Sequence, residues 1–201
     1  MCLPYQNTKN SMHMANFTRD KSWGYYLLHI YKLQKKGGKT MLQLREFTES
    51  DLALAEAWLH KAHVRKWYEI PQLGVTLEDW MMEYKERNGK YQWITHLIVM
   101  WQEKPIGLCQ YYKATDSDED FGTLPRIGTY GIDYLIGEED CIGKGLGKDM
   151  LKLLVNRIFS FPDAYRITAD IDRENHASEK TLLSCGFTLQ DPVKSRYILS
   201  K

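Results

Sequence analysis

In "YGIDYLIGEEDCIGKGLGKDML" (residues 130 to 151) an acid, Asp133, stands inside an apolar run, and three alternating glycines then lead into a leucine-rich segment. A strand, a glycine loop and a helix N-terminus in that order make an anion site, because exposed backbone N–H groups and the helix dipole attract phosphate. Ile142, Gly143, Lys144, Gly145, Leu146, Gly147 and Lys148 are therefore the candidate anion-binding residues, with a plain structural turn as the alternative. A nucleoside-triphosphate loop needs GxxxxGK[ST], and here Asp149 follows Gly147-Lys148, which removes the magnesium-binding hydroxyl. A dinucleotide fingerprint opens the first βαβ unit of its domain, whereas this loop comes after three or four strands. Neither of those ligands fits.

The elements that must position these residues can be read from periodicity. "LQLREF" (42 to 47) alternates apolar and polar residues as a half-buried strand does. "TESDLALAEAWLHKAH" starts with capping-type residues and repeats Leu52, Ala55, Leu59 and Ala62 at helical spacing, which predicts a first helix. An aromatic loop, "VRKWYEIPQLGV", leads to a second helix with Thr76 as N-cap and Trp80 and Tyr84 on one face. "WITHLIVMW" and "PIGLCQYY" predict a hairpin turning at "QEKP". The polar segment 113 to 126 is a long loop of the kind that is often functional, and "IGTYGIDYLIG" returns to strand. Leu146, Met150, Leu153, Leu154 and Ile158 then form one helical stripe. "YRITADI" is a strand, "NHASEKTLLSCGF" a helix ending near Gly186, and "RYILS" a terminal strand. The order β-α-α-β-β-β-α-β-α-β predicts an α+β fold with one mostly antiparallel sheet.

The glycine loop also resembles a family loop that holds the pyrophosphate of coenzyme A. "IGKGLG" resembles the R/Q-x-x-G-x-G/A loop of the GNAT acetyltransferase superfamily, with Ile142 where Arg or Gln is usual. Asn175, which starts the helix ending in "CGF", looks like the family's second cofactor motif. The resemblance sharpens to the aminoglycoside 6'-N-acetyltransferases and runs from Met41 to about Phe187 through "WY" (67 to 68), "TLEDWMMEY", "KPIGLCQYY", "YGID", "GKGLG" and "GF". It implies a GNAT-type fold, a central twisted sheet of six or seven strands flanked by about four helices. It also implies acetyl-CoA as co-substrate, no metal, and a cationic small-molecule amine as acceptor.

Acetyl transfer to an amine requires a neutral nitrogen, a thioester carbonyl within reach and stabilisation of the developing oxyanion. Asp133 is placed to take a proton from a bound ammonium, and the resemblance puts the family's base or amine-binding carboxylate there. A satisfied buried acid is the alternative. Asp118 and Asp170 align with acids that grip cationic sugar rings, although Asp116, Glu119 and Asp120 crowd the same loop as Asp118 and an acidic loop is often merely solvated. Trp67 and Tyr84 match substrate-pocket aromatics, with core packing as the alternative, and Phe121 stands where relatives carry Trp. The resemblance implies a backbone oxyanion donor near Leu135 or Ile136, and Asn175 near the pantetheine or thioester. Leu182 holds the position of the family's usual tyrosine acid, so a water or another tyrosine must take that role. Cys141 and Cys185 have no His partner nearby in sequence, which favours direct transfer over an acetyl-cysteine.

The 201 residues suffice for one well-cored domain, and 43% hydrophobic content is globular. The four cysteines show no CxxC spacing or disulfide framework, which suits a reducing cytoplasm. No apolar run approaches the roughly 20 residues that span a bilayer. Residues 1–40 hold seven Lys/Arg and one acid, against 20 basic and 25 acidic residues beyond them. Codons for "KKGG" can spell a purine-rich ribosome-binding sequence just before Met41, so the expectation for 1–40 is a disordered N-terminal extension or a mis-assigned translation start, with the domain at 41–201. Nucleic-acid binding by that basic segment and a non-catalytic acetyl-CoA sensor are the rival readings, and another small amine is the rival acceptor. A monomer or homodimer, with no nucleic-acid or membrane partner, is expected.

Overall fold

The computed structural model describes residues 42–201. The expectation for residues 1–40 lies outside the described residues. Seven strands and five α-helices follow one another as β1 (Leu42–Glu46), α1 (Leu52–His60), α2 (Ala62–Tyr68), α3 (Leu77–Lys85), β2 (Ile94–Trp101), β3 (Lys104–Lys113), β4 (Thr129–Ile136), α4 (Leu146–Phe159), β5 (Arg166–Asp170), α5 (His176–Ser184), β6 (Thr188–Asp191) and β7 (Arg196–Ser200). The strands form one sheet in the order β1-β2-β3-β4-β5-β7-β6. Every neighbouring pair is antiparallel except β4 and β5.

Local chemistry accounts for most of these elements. Gln102 and Glu103 both take positive φ in the two-residue turn between β2 and β3, the conformation that matches the twist of a hairpin. Thr76 and Asp79 cap α3 reciprocally, Thr76 N–H donating to Asp79 Oδ2 at 2.9 Å and Asp79 N–H to Thr76 Oγ1 at 3.3 Å. The stripe of α4 is buried along its whole length, from Leu146 to Ile158.

The sheet carries two cores. Leu97, Val99, Ile132 and Ile167 pack with α4 and α5 on one face. Ile98, Leu108 and Leu135 pack with Trp58, Trp80 and Tyr84 of α1 and α3 on the other. Burying each such side chain stabilises the fold by about 1.5–3 kcal/mol.

Two elements differ from the expectation. The single first helix is broken at Lys61, which is extended at ψ 134°, and the predicted aromatic loop begins as α2. The cause is tertiary: Glu138, just past β4, accepts from Trp58 Nε1 at 2.7 Å and from Lys61 Nζ at 2.8 Å. A continuous helix would carry Lys61 away from that carboxylate. The other difference is β6, a short exposed strand that, among the described residues, pairs with β7 alone.

Candidate active site

The site begins where the sheet splits. Pairing between the parallel strands β4 and β5 runs from Thr129–Arg166 to Gly131–Thr168 and then stops. Beyond that point Ile132, Asp133 and Tyr134 on one side and Ala169, Asp170, Ile171 and Asp172 on the other line a narrow cavity of about 50 Å³. A second cavity of about 470 Å³ adjoins it, sharing Asp170, Ile171 and Asp172 and reaching Ile70, Leu73, Asp120 and Arg196. The first is narrow and the second much wider.

The roof of the narrow cavity comes from α2. Because the chain breaks at Lys61, α2 carries Trp67 and Tyr68 over the split, and both line it with Trp80. Trp80 Nε1 donates to the Tyr68 carbonyl at 2.9 Å, and the two rings meet edge-on at 4.9 Å. The Lys66 ammonium lies 4.4 Å from the Trp67 ring centroid.

Asp133 is half-buried on the cavity wall. It opposes Gln110 across the β3–β4 ladder, and Gln110 Nε2 donates to its Oδ2 at 3.3 Å. Asp170 reaches both cavities, but Arg196 on β7 grips it with Nε and Nη2 at 2.7 and 2.6 Å. That ion pair holds the Arg196 guanidinium more firmly protonated than usual, against the opposing effect of its burial. Tyr134 follows Asp133, and its hydroxyl donates to the Ser178 carbonyl at 3.4 Å. Burial pushes its proton affinity well up, so it stays a phenol at any physiological pH.

The glycine loop lies between β4 and α4. Gly143 and Gly145 take φ of +76° and +77°, left-handed conformations in which a Cβ on either would meet no other atom. Gly145 is the N-cap of the 14-residue α4 and offers no side chain to its first N–H groups. Leu146 plugs the core beneath, Gly147 faces Thr181, Lys144 Nζ lies 5.4 Å from the Trp101 ring centroid, and the Lys148 carbonyl accepts from Cys185 Sγ. Ile142 is half exposed. Asn175 caps α5, its Oδ1 accepting from Ser178 N–H at 3.1 Å, and also lines the narrow cavity. Left-handed glycines and an uncapped helix N-terminus leave backbone N–H groups free for an anion.

Residues 48–195 match the family model described as "Acetyltransferase (GNAT) domain". The chain belongs to the GNAT acetyltransferase family. Within it, the chain is similar to the aminoglycoside N(6')-acetyltransferase type 1 of Klebsiella pneumoniae, 31% identical over 153 residues that cover 75% of each chain. Its fold is similar to the crystal structure of aminoglycoside acetyltransferase AAC(6')-Ib with coenzyme A and kanamycin, at TM-score 0.66 and 28% identity over 80% of this chain and 95% of that one. A structure of AAC(6')-Ib with ribostamycin and coenzyme A matches at TM-score 0.67 and 27% identity, covering 80% and 93%.

Of the site residues expected from sequence, the GNAT fold brings Trp67, Asp133, Asp170 and Asn175 to one cavity. Tyr84 is not on its wall: it is 1% exposed, stacked on Phe47 at 5.5 Å and edge-on to His96 at 5.3 Å. Phe121 is also core, 3% exposed between the guanidinium groups of Arg126 and Arg196 at 5.1 and 5.6 Å. Asp118 is exposed on the 114 to 128 loop, Leu135 is buried in the same core cluster as Trp58, and the Ile136 carbonyl lies 3.0 Å from His63 Nε2. Tyr68, Trp80, Gln110, Tyr134 and Asp172 also stand at or beside this cavity, although none of them has a role in the site on the sequence alone. Tyr134 and Tyr68 were each adjacent to a residue already singled out. Among the described residues no group of three His, Cys, Asp or Glu could hold a metal, and no helix is long and apolar enough to cross a membrane.

Proposed function

We propose that the protein is an acetyl-CoA-dependent N-acetyltransferase that acetylates the 6'-amine of aminoglycosides by direct transfer, and so confers resistance. The observation that carries this reading is the split of β4 from β5, which leaves Asp133 on the wall of a narrow cavity just before the chain turns into the glycine loop and α4. Its similarity to 6'-N-acetyltransferases supports the acceptor. We place the enzyme in the cytoplasm, as a monomer or homodimer without nucleic-acid or membrane partners, and the scheme uses no metal.

When bound, acetyl-CoA supplies the thioester-activated acetyl group. The N–H groups of residues 143 to 147 hold its pyrophosphate, with Lys144 and Lys148 adding positive charge. Trp67 and Tyr68 close over the acceptor and offer aromatic faces to its ammonium. Asp133 takes one proton from that ammonium, giving the free amine that attacks. The amine attacks the thioester carbonyl and the C–S bond breaks as the amide forms. The Tyr134 hydroxyl, in place of the tyrosine that Leu182 replaces, gives its proton to the leaving thiolate and is restored by the second proton lost from nitrogen, while Leu182 itself is wholly buried. Asn175 and a backbone N–H near Leu135 or Ile136 steady the thioester end.

One observation favours a less charged acceptor. Asp170 and Asp120 each hold a cation of this chain, Arg196 and Lys194, and Tyr84 and Phe121 are spent on the core. Such a site suits an amine with fewer ammonium groups than an aminoglycoside, for instance a polyamine, siderophore precursor or amino-acid derivative. Release of coenzyme A thiol from acetyl-CoA, with kanamycin, tobramycin, amikacin, spermidine and lysine offered in parallel, separates the readings. Turnover confined to the 6'-amino drugs is the expected result; turnover of spermidine or lysine alone would give the site to the second reading, and acetyl-CoA binding without turnover would make it a sensor.

A further inference from the structure

Beneath Asp133 runs a line of polar side chains in an otherwise apolar layer. His96 on β2 opposes Gln110 on β3, and Gln110 opposes Asp133 on β4, so all three project from one face of the sheet. Their strand neighbours on that face, Ile94, Ile98, Leu108, Tyr112 and Leu135, are core. Glu83 descends from α3 and its Oε1 lies 3.0 Å from His96 Nε2. His96, Gln110 and Glu83 are 5%, 0% and 8% exposed, so this is a buried network and only its Asp133 end reaches the cavity.

Burying a carboxylate and an amide among aromatics is costly unless they are hydrogen-bonded. Glu83 has its proton affinity raised by burial, against which the His96 and Gln110 hydrogen bonds act, and the charge of Asp133 raises it further. Gln110 thus lies between two carboxyl groups. With Nε2 towards Asp133 its amide donates at 3.3 Å, while Oε1 is buried without a donor. Turned over, Oε1 would confront the Asp133 carboxylate. The observed orientation accepts an unpaired carbonyl, at about 1–3 kcal/mol, and keeps a donor on Asp133.

We propose that Gln110 is the positioning residue for Asp133 and that the buried Glu83–His96 pair holds the Gln110 amide the right way round. The network fixes one carboxylate oxygen before the acceptor arrives, so that little reorganisation is needed when the proton moves. No proton need travel along it, since the proton that Asp133 receives can leave through the cavity to solvent. The titratable groups facing this file are Glu83 from α3, His96 from β2, Tyr84 beside His96, Tyr112 two residues along β3 from Gln110, and, around the cavity, Tyr68, Asp170, Asp172 and Tyr134; Asp170 is held by Arg196.

The inference rests on Asp133 being the proton acceptor, so Asp133→Asn is measured alongside Gln110→Glu, Gln110→Met and Glu83→Gln. The assay is the pH dependence of kcat/KM for acetyl transfer between pH 4.5 and 9, with acetyl-CoA affinity by calorimetry and folding by circular dichroism. Gln110→Met removes a donor and Gln110→Glu adds a like charge, and both move the acid limb to higher pH. Glu83→Gln offers Gln110 an N–H in place of an acceptor, lets its amide turn over, and lowers kcat tenfold or more. Acetyl-CoA affinity stays within twofold throughout. An inactive Asp133→Asn beside any folded Gln110 variant with an unmoved acid limb, or a Glu83→Gln enzyme of wild-type kcat, overturns the positioning role. An active Asp133→Asn overturns the assignment of the base instead. Should Gln110→Glu not fold, the nearly isosteric Gln110→Met and Glu83→Gln decide the matter.

Discussion

Arg196 holds Asp170 through two parallel hydrogen bonds of 2.7 and 2.6 Å, and the two residues are direct cross-strand partners on β7 and β5. The arginine also donates to the Asp120 carbonyl at 2.8 Å and is itself nearly inaccessible. A carboxylate engaged in this way has little attraction left for an ammonium group in the adjoining cavity. Arg196→Met is therefore expected to raise the ratio of kcat/KM for kanamycin over that for a monoamine by about tenfold, the equivalent of about 1.4 kcal/mol. The same change removes one partner of a largely buried pair, so thermal stability falls. Steady-state kinetics on two acceptors, with a melting curve, checks both; an unchanged ratio would mean that Asp170 does not govern acceptor charge.

Tyr134→Phe is expected to lower kcat by about tenfold to a hundredfold, within the usual range for loss of a proton-transfer group. Thermal stability should hardly change, because the hydroxyl lost makes a long 3.4 Å contact. Since burial holds the phenol protonated beyond its ordinary range, the wild-type profile should show no fall in rate from this group up to about pH 10. Single-turnover thiol release at several pH values tests this.

Acid should weaken the fold through Asp51. Burial raises its proton affinity, but hydrogen bonds from Arg45, from Thr48 N–H and from the Thr48 hydroxyl more than offset this and bring its pKa to about 2. A depressed carboxyl stabilises the native state above its unfolded pKa and loses that contribution as pH falls towards the folded value. About 2 kcal/mol should disappear between roughly pH 4 and pH 2. Urea titrations at stepped pH measure it, and in Asp51→Asn that component of the slope should vanish.

Gly137→Ala should be among the more damaging small substitutions. A Cβ there would stand 2.2 Å from the Trp58 ring, which is 1% exposed. Overpacking costs about 1–3 kcal/mol, and the indole must shift from Glu138, loosening the clamp that sets α2. A lower melting temperature together with a raised acceptor KM is expected; a change in stability alone would show that the clamp does not reach Trp67.

The succession of strands and helices was legible because each long element has its own period. The break at Lys61 was not, because its cause, Glu138, lies 77 residues away in sequence. Nor was β6, whose "TLQD" is too short and too exposed to show alternation. The placement of Asp133 on a strand just before a glycine loop and helix was legible in the order of residues, whereas Tyr84 and Phe121 could not be told from core aromatics: burial of an aromatic depends on what packs over it. His96 and Gln110 did leave a signal, as polar residues inside the apolar runs "WITHLIVMW" and "PIGLCQYY". Their meaning emerged only from the strand register, which sets both in line with Asp133.

The early parting of β4 and β5 bears on endurance as well as catalysis. Three residue pairs are all that join these two strands within the sheet, so the leaf β5-β7-β6 is the natural place for thermal opening to begin. A ligand lying in the parting bridges both leaves. Exposure to substrate should therefore slow amide hydrogen exchange along β5 and β7, and a cell supplied with acetyl-CoA would keep this protein longer than one starved of it.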